Sequence, residues 1–229
     1  HETRIPQPPV TERGQLKADE DLRKSKVSDD EYLPFYKKLD SIEERYEYKV
    51  IQKALDYLEK NKNEPWCLTA SLVGPHFPNS NPEPFYSMYD DVDSINDNFL
   101  NKPWYQTRKW WPSIDTEYFD EKEWKKTIRA YYGSITMMDY FIGQILEKAK
   151  ECSGGRPTRV IFTSDHGEML GNHGKFDKHA YCYEDVIRTP LLFCKDLNNC
   201  ENGTKCDTYC NTLDIAQTFF DFAGTSCEN

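Results

Sequence analysis

One long amphipathic stretch, Glu121 to Lys150, and the short apolar run that follows it constrain this chain more than any other feature. Trp124, Ile128, Tyr131, Ile135, Met138, Ile142 and Ile145 recur at steps of three and four, the stripe of one helix face. Gly154-Gly155 and Pro157 end it, and Arg159-Val160-Ile161-Phe162-Thr163 reads as a buried strand. A half-apolar helix that hands over directly to an apolar strand must lie on a sheet, which places the chain in the α/β class.

The same alternation occurs on either side. Tyr32 to Leu58 shows a helical pattern, with Tyr46, Val50, Ala54 and Leu58 at helical spacing, stopped by Asn61, Asn63 and Pro65. Trp66 to Val73 is short, apolar and β-prone, and predicts a second buried strand. Pro190 to Phe193 predicts a third, and Asn211 or Thr212 caps a last helix through Phe222 with Gly224 at its stop. Residues 1–30 read as an extended surface segment without apolar period. The stretch 79–120, rich in Asn, Pro, Asp and aromatics, reads as an ordered excursion over one face of a domain formed by 31–229.

Composition excludes some classes. Fifteen tyrosines, twelve phenylalanines and five tryptophans argue for a packed core rather than disorder. A net charge of −10 disfavours nucleic acid as the partner, since phosphate backbones select basic surfaces. No run of about 18 apolar residues predicts a membrane helix. The chain starts at His1 without Met or a signal-peptide core, which reads as a processed or truncated product. Of eight cysteines, Cys194, Cys200, Cys206, Cys210 and Cys227 crowd together around the sequon Asn202-Gly203-Thr204. That pattern predicts disulfides, a glycan at Asn202 and an oxidising, secretory origin, lysosomal or extracellular. A zinc site is the alternative, but the paired CxxC spacing is lacking, and connectivity stays open among about 105 pairings.

Two strand ends carry candidate chemistry. After Thr163 the chain turns through Ser164-Asp165-His166-Gly167, so that a carboxylate and an imidazole can reach one ion, a donor set suited to Ca²⁺, Mn²⁺ or Zn²⁺. By itself the dipeptide is ordinarily a capping Asp beside a half-exposed His. Its company changes that reading, because His173, Lys175, Lys178 and His179 follow in a polar, glycine-rich loop, as an anionic substrate would require. His76, fixed between Pro75 and Pro78 at the end of the Trp66–Val73 run, is the second candidate, although a lone His in a turn is ordinarily a surface residue.

The string TSDHGEMLGNHGKFDKHAYCYEDVIRTPLLF resembles the downstream signature of sulfatases in the alkaline-phosphatase-like superfamily. WCLTASLVGPHFPNSNPEPFYSMY is similar to that family's strand leading to Pro-His-x-Pro. AYYGSITMMDYFIGQILE and NTLDIAQTFFDFAG are similar to the helices before and after the metal strand. The resemblance, from about Glu64 to Gly224, implies a partial alkaline-phosphatase-like sandwich with helices packed on a mostly parallel sheet. It implies Asp165 and His166 as metal ligands, His76 and Lys178 as catalytic contacts to the sulfate and leaving group, and His173 behind them. Lys175 and His179 are then solvated loop residues. The metal expected is Ca²⁺, with Mn²⁺ or Zn²⁺ as alternatives.

The family's nucleophile is a formylglycine made in a Cys-x-Pro-x-Arg motif, and none of the eight cysteines here begins one. The paired N-terminal aspartates of the metal site also lack a counterpart. The chain is therefore expected to be the central to C-terminal part of a sulfatase catalytic domain, inactive alone. Formylglycine is expected in an upstream segment, and that segment or another chain is expected to complete the sheet. The whole would be a metal-dependent sulfuric ester hydrolase. The alternatives are a phosphonate or phosphodiester hydrolase of the same superfamily, or a non-catalytic sulfatase-like binding protein.

Overall fold

A computed structural model describes residues 26–28, 31–32, 35–92, 95, 119–178, 182–200 and 203–225. Most of the 1–30 segment and of the 79–120 excursion, as well as His179, Asn202 and Cys227, lies outside the described residues.

Strands β1 (Lys26–Ser28), β2 (Glu31–Tyr32), β3 (Tyr36–Lys38) and β4 (Asn79–Asn81) form one sheet in that order. The first two pairings are antiparallel, whereas β3 and β4 run parallel, with Tyr36 opposite Asn79 and Lys38 opposite Asn81. The helix predicted from Tyr32 thus begins later. Helix α1 spans Tyr46–Asn61, after β3 and a 3-10 turn at Ile42–Glu44. Tyr36 sits in that strand because its ring is buried and its hydroxyl donates to Glu123 Oε2 at 2.7 Å, a long-range bond that local periodicity does not carry.

Helix α2 (Glu121–Cys152) starts where Asp120 accepts a hydrogen bond from the Glu123 amide at 2.8 Å. Its buried face holds Trp124, Thr127, Ile128, Ala130, Ser134, Met137, Met138 and Phe141. Ile135, expected in the stripe, is 44% exposed, because the contact with α1 and β4 rotates the buried face toward residues 134, 137 and 141. Ile51 of α1 packs with Met137, Met138 and Phe141, and Leu58 with Ala149 and Cys152. A polar clamp fixes β4 across α2: Asn81, fully buried, donates to the Ala130 carbonyl at 2.7 Å and accepts from the Ser134 hydroxyl at 2.8 Å. Gly133 is needed there, since a Cβ at that position would overlap the Phe85 carbonyl.

Trp66 to Val73 is not a strand. Among the described residues no ladder forms along it, and it is held by side chains: Trp66 and Leu68 pack on the Leu58–Ala149–Cys152 cluster, and Leu72 on the Met137–Phe141 cluster. A strand needs a hydrogen-bonded neighbour, and apolar alternation supplies only the face. Strands β5 (Val160–Thr163) and β6 (Leu191–Cys194) do form, paired antiparallel with Val160 opposite Cys194 and Thr163 opposite Leu191. Their side chains are half-buried to exposed rather than buried. A short helix α3 (Glu184–Ile187) precedes β6. Helix α4 (Thr212–Ala223) closes the described chain with the expected ends, Asn211 Oδ1 accepting from the Leu213 amide at 2.8 Å and Gly224 in the left-handed region at φ 65°. The architecture is α/β, as the alternation of elements predicts.

Candidate active site at the end of the fifth strand

Asp165 and His166 leave β5 where Gly167 lets the chain pass against α3. The Gly167 amide donates to the Val186 carbonyl at 2.7 Å and the Glu168 amide to the Asp185 carbonyl at 3.0 Å. A Cβ on Gly167 would overlap the Asp185 carbonyl oxygen. Backbone on both sides prevents easy relief, so Gly167→Ala is expected to destabilise the chain by about 1–3 kcal/mol. A denaturant midpoint identical to the parent's would show that the two backbones do not meet.

Within the corner, His166 Nδ1 lies 2.7 Å from the Gly167 carbonyl oxygen. A carbonyl only accepts, so Nδ1 carries the proton and Nε2 presents its lone pair. That Nε2 is 3.6 Å from Asp165 Oδ1, whose side chain is 86% exposed. Two donor atoms at this separation can both reach one ion at the usual bond lengths of about 2.0–2.4 Å. Asp165 Oδ1 also accepts from the His166 amide at 3.0 Å, which limits its rotation. Among the described residues no third His, Cys, Asp or Glu joins them in a group able to hold a metal ion. The pair therefore offers two of the donors that a metal ion needs, and no more among the described residues.

The loop from Glu168 to Lys178 is tied back to this corner by a carboxylate that periodicity does not reveal. Glu168 Oε1 accepts from the Asp177 amide at 2.6 Å and the Leu170 amide at 3.1 Å. Burial, with the Asp177 carboxylate adding to it, pushes the Glu168 carboxyl up to about 7, against the pull of the two amides and of Lys178. Burial and the Glu168 charge push the Tyr131 hydroxyl of α2 up to about 12, and Phe176 of the loop packs with Trp124 of the same helix. Leu170 (φ 39°), His173 (φ 52°) and Asp177 (φ 68°) are non-glycine residues in the left-handed region, three strained positions in one short loop. Such strain persists only where surrounding contacts over-determine the backbone.

Lys178 emerges at the end of that loop, 28% exposed, with Nζ 3.6 Å from Asp177 Oδ1. His173 stacks on Tyr183, ring centroids 4.3 Å apart at 17°. The Asn172 side chain donates to Asp185, which ties the loop to α3 a second time.

His76 arrives from the other side of the core. A buried ion pair, Arg45 Nε to Glu47 Oε2 at 2.9 Å, sits beneath its turn, and Glu47 Oε1 accepts from the Gly74 amide at 2.8 Å. Asn79 donates to the Pro75 carbonyl at 2.8 Å. His76 Nδ1 lies 2.8 Å from the Phe77 carbonyl, the same tautomer as at His166. Phe77 then packs on Phe176 at 5.1 Å, and Phe176 on Phe35 at 5.1 Å. The segments bearing His76 and Lys178 are thus pinned to one aromatic cluster, and Glu168 pins Asp177 to the Asp165–His166 corner. Arg45, Glu47 and Glu168 have no sequence signal beyond being charged residues near apolar ones.

The family model described as Sulfatase matches residues 15–225. An arylsulfatase of Clostridium perfringens (strain 13 / Type A) is 33% identical over 184 residues, covering 77% of this chain and 38% of that protein. A phosphonate monoester hydrolase from Silicibacter pomeroyi superposes with a TM-score of 0.65 at 20% identity, covering 82% of this chain and 39% of that one. A protein solved in complex with its substrate D-glucosamine-2-N,6-O-disulfate superposes at 0.62, again at 20% identity, covering 80% of this chain and 49% of that one. These two likenesses show the alkaline-phosphatase-like fold, and the chain spans less than half the length of each protein it matches here. With the family model covering nearly all of it, the chain belongs to the sulfatase family.

Proposed function

We propose that this chain is the part of a metal-dependent sulfuric ester hydrolase that supplies one side of the metal site and the cations facing the sulfate. The observation carrying the proposal is the pair of donors, Asp165 Oδ1 and His166 Nε2, 3.6 Å apart at a strand end, at the start of the loop that ends on Lys178. A divalent ion there, Ca²⁺ in this reading with Mn²⁺ or Zn²⁺ as alternatives, would supply Lewis-acid stabilisation of charge on the transferred group. Asp165 and His166 orient the site, Lys178 and His76 meet the sulfate oxygens, and a protonated side chain among them assists departure of the alcohol. His173, stacked on Tyr183, holds the loop from behind.

Sulfatases use a formylglycine, and no cysteine here opens a Cys-x-Pro-x-Arg motif, so the nucleophile is assigned to another segment of the enzyme. That segment, or another chain, also completes the sheet. In support, Phe162, Leu191, Leu192 and Phe193 on β5 and β6 are 39–58% exposed, apolar side chains on both faces of the strand pair that neighbouring layers would cover. The cysteine cluster and the Asn202 sequon favour maturation in the secretory pathway, for a lysosomal or extracellular enzyme. Among the described residues no helix is long and apolar enough to cross a membrane.

Residues 1–229 alone are expected to show no multiple turnover of an aryl sulfate with added Ca²⁺, whereas the complete enzyme hydrolyses it. Sustained turnover by the isolated chain, abolished by Asp165→Ala, would overturn the assignment of the nucleophile elsewhere. Sulfate and phosphonate esters share shape and charge, so the complete enzyme is assayed on both. A phosphonate ester preferred over the sulfate makes it a phosphonate or phosphodiester hydrolase, and no turnover of either makes it a binding protein.

A further inference from the structure

Outside the candidate site, the chemistry-bearing group with the most defined geometry lies at the far end of the β5–β6 pair. Cys194, the last residue of β6, and Cys200, beyond a 3-10 turn at Leu197–Asn199, bring their sulfurs to 2.6 Å. That is well inside the ordinary contact of two unbonded sulfur atoms and about half an ångström from a covalent S–S bond. We propose that Cys194 and Cys200 form a disulfide that closes this loop onto the strand.

The loop is held in the required shape before any bond forms. Asp196 accepts from the Thr158 and Asn198 amides, both at 3.1 Å, and from the Asn199 side chain at 2.7 Å. The Leu197 amide donates to the Thr158 carbonyl at 2.7 Å, so the loop is anchored to the residues that lead into β5. Oxidation therefore has little left to order, since non-covalent bonds already restrict the backbone. The other described cysteines of the cluster offer no equivalent: the Cys206 thiol donates to the Thr208 hydroxyl at 3.3 Å, within its own loop.

Bond formation balances with a disulfide oxidant such as oxidised glutathione. Exposed Cys200 attacks first as thiolate and forms a mixed disulfide, releasing one glutathione thiol. Cys194, half-buried and with its thiol pushed up by burial and by Cys200, then displaces the second. Two protein thiols lose two electrons and two protons, and the oxidant leaves as two thiols. Because Val160 pairs with Cys194, the bond braces the end of β5 opposite Asp165, and the strand that carries the metal corner is stapled at its root.

The chain lends itself to a direct test, because Lys195 lies between the two cysteines. The enzyme secreted from cultured eukaryotic cells is alkylated under denaturing, non-reducing conditions, deglycosylated and digested with trypsin. A species with the joint mass of peptides 189–195 and 196–205, separating on reduction, is the expected result. Cys200→Ser should abolish it and leave Cys194 alkylated. Both cysteines recovered as alkylated thiols in the parent enzyme, or either one joined to another cysteine-bearing peptide such as the one that begins at Cys206, would overturn the pairing. The outcome is independent of whether the enzyme hydrolyses sulfate esters.

Discussion

Replacing Lys178 by alanine in the complete enzyme is expected to lower kcat/KM for an aryl sulfate by about 100-fold or more. The magnitude is that of one electrostatic contact to charge that grows in the transition state. Lys178 has the right setting for such a contact. Its side chain is 28% exposed, and its ammonium sits 3.6 Å from the Asp177 carboxylate at the end of a strained loop. Glu168 holds the backbone of that loop from below through the Asp177 amide. Steady-state kinetics on Lys178→Ala and Lys178→Arg separate charge from position, since Arg keeps the cation but alters its reach. If alanine leaves kcat/KM unchanged while the thermal midpoint stays that of the parent, Lys178 does not face the substrate.

Loss of the proposed metal corner should have a larger effect. Asp165→Ala removes the carboxylate nearest His166 Nε2 and is expected to lower kcat by about 1000-fold in the complete enzyme. Chelation of the parent should do the same and be reversed by excess Ca²⁺, whereas the variant should recover little. Asp165 is exposed and touches mainly its own neighbour, so the substitution leaves the core intact and circular dichroism should not change. Calorimetric titration with Ca²⁺ gives a readout apart from activity. Unaltered affinity in Asp165→Ala would remove this residue from the ligand set.

Local chemistry was read correctly where its cause is local. The Asn211 cap and Gly224 stop of α4, and the strand-to-glycine corner after Thr163, depend on a few consecutive residues, and the structure has them where the chain predicts. The helix expected from Tyr32 and the strand expected over Trp66–Val73 failed for the opposite reason. Tyr36 enters a strand because Asn79 lies beside it and Glu123 accepts its hydroxyl hydrogen bond, partners far along the chain. Trp66–Val73 has the alternating face of a strand but no described neighbour to pair with, and helix clusters take up its side chains instead.

The site divides in the same way. Asp165, His166, His76 and Lys178 are legible as residue types in telling company, because donor chemistry is written in the side chains themselves. Their supports were not legible. The Arg45–Glu47 pair under the His76 turn, Glu168 under Lys178, and the Phe77–Phe176 contact joining the two segments each couple residues separated along the chain. Periodicity and motif report which groups are present and which backbone turns they can adopt. Which carboxylate becomes a buried strut and which stays exposed depends on desolvation and long-range packing, and these exist only once the chain has folded.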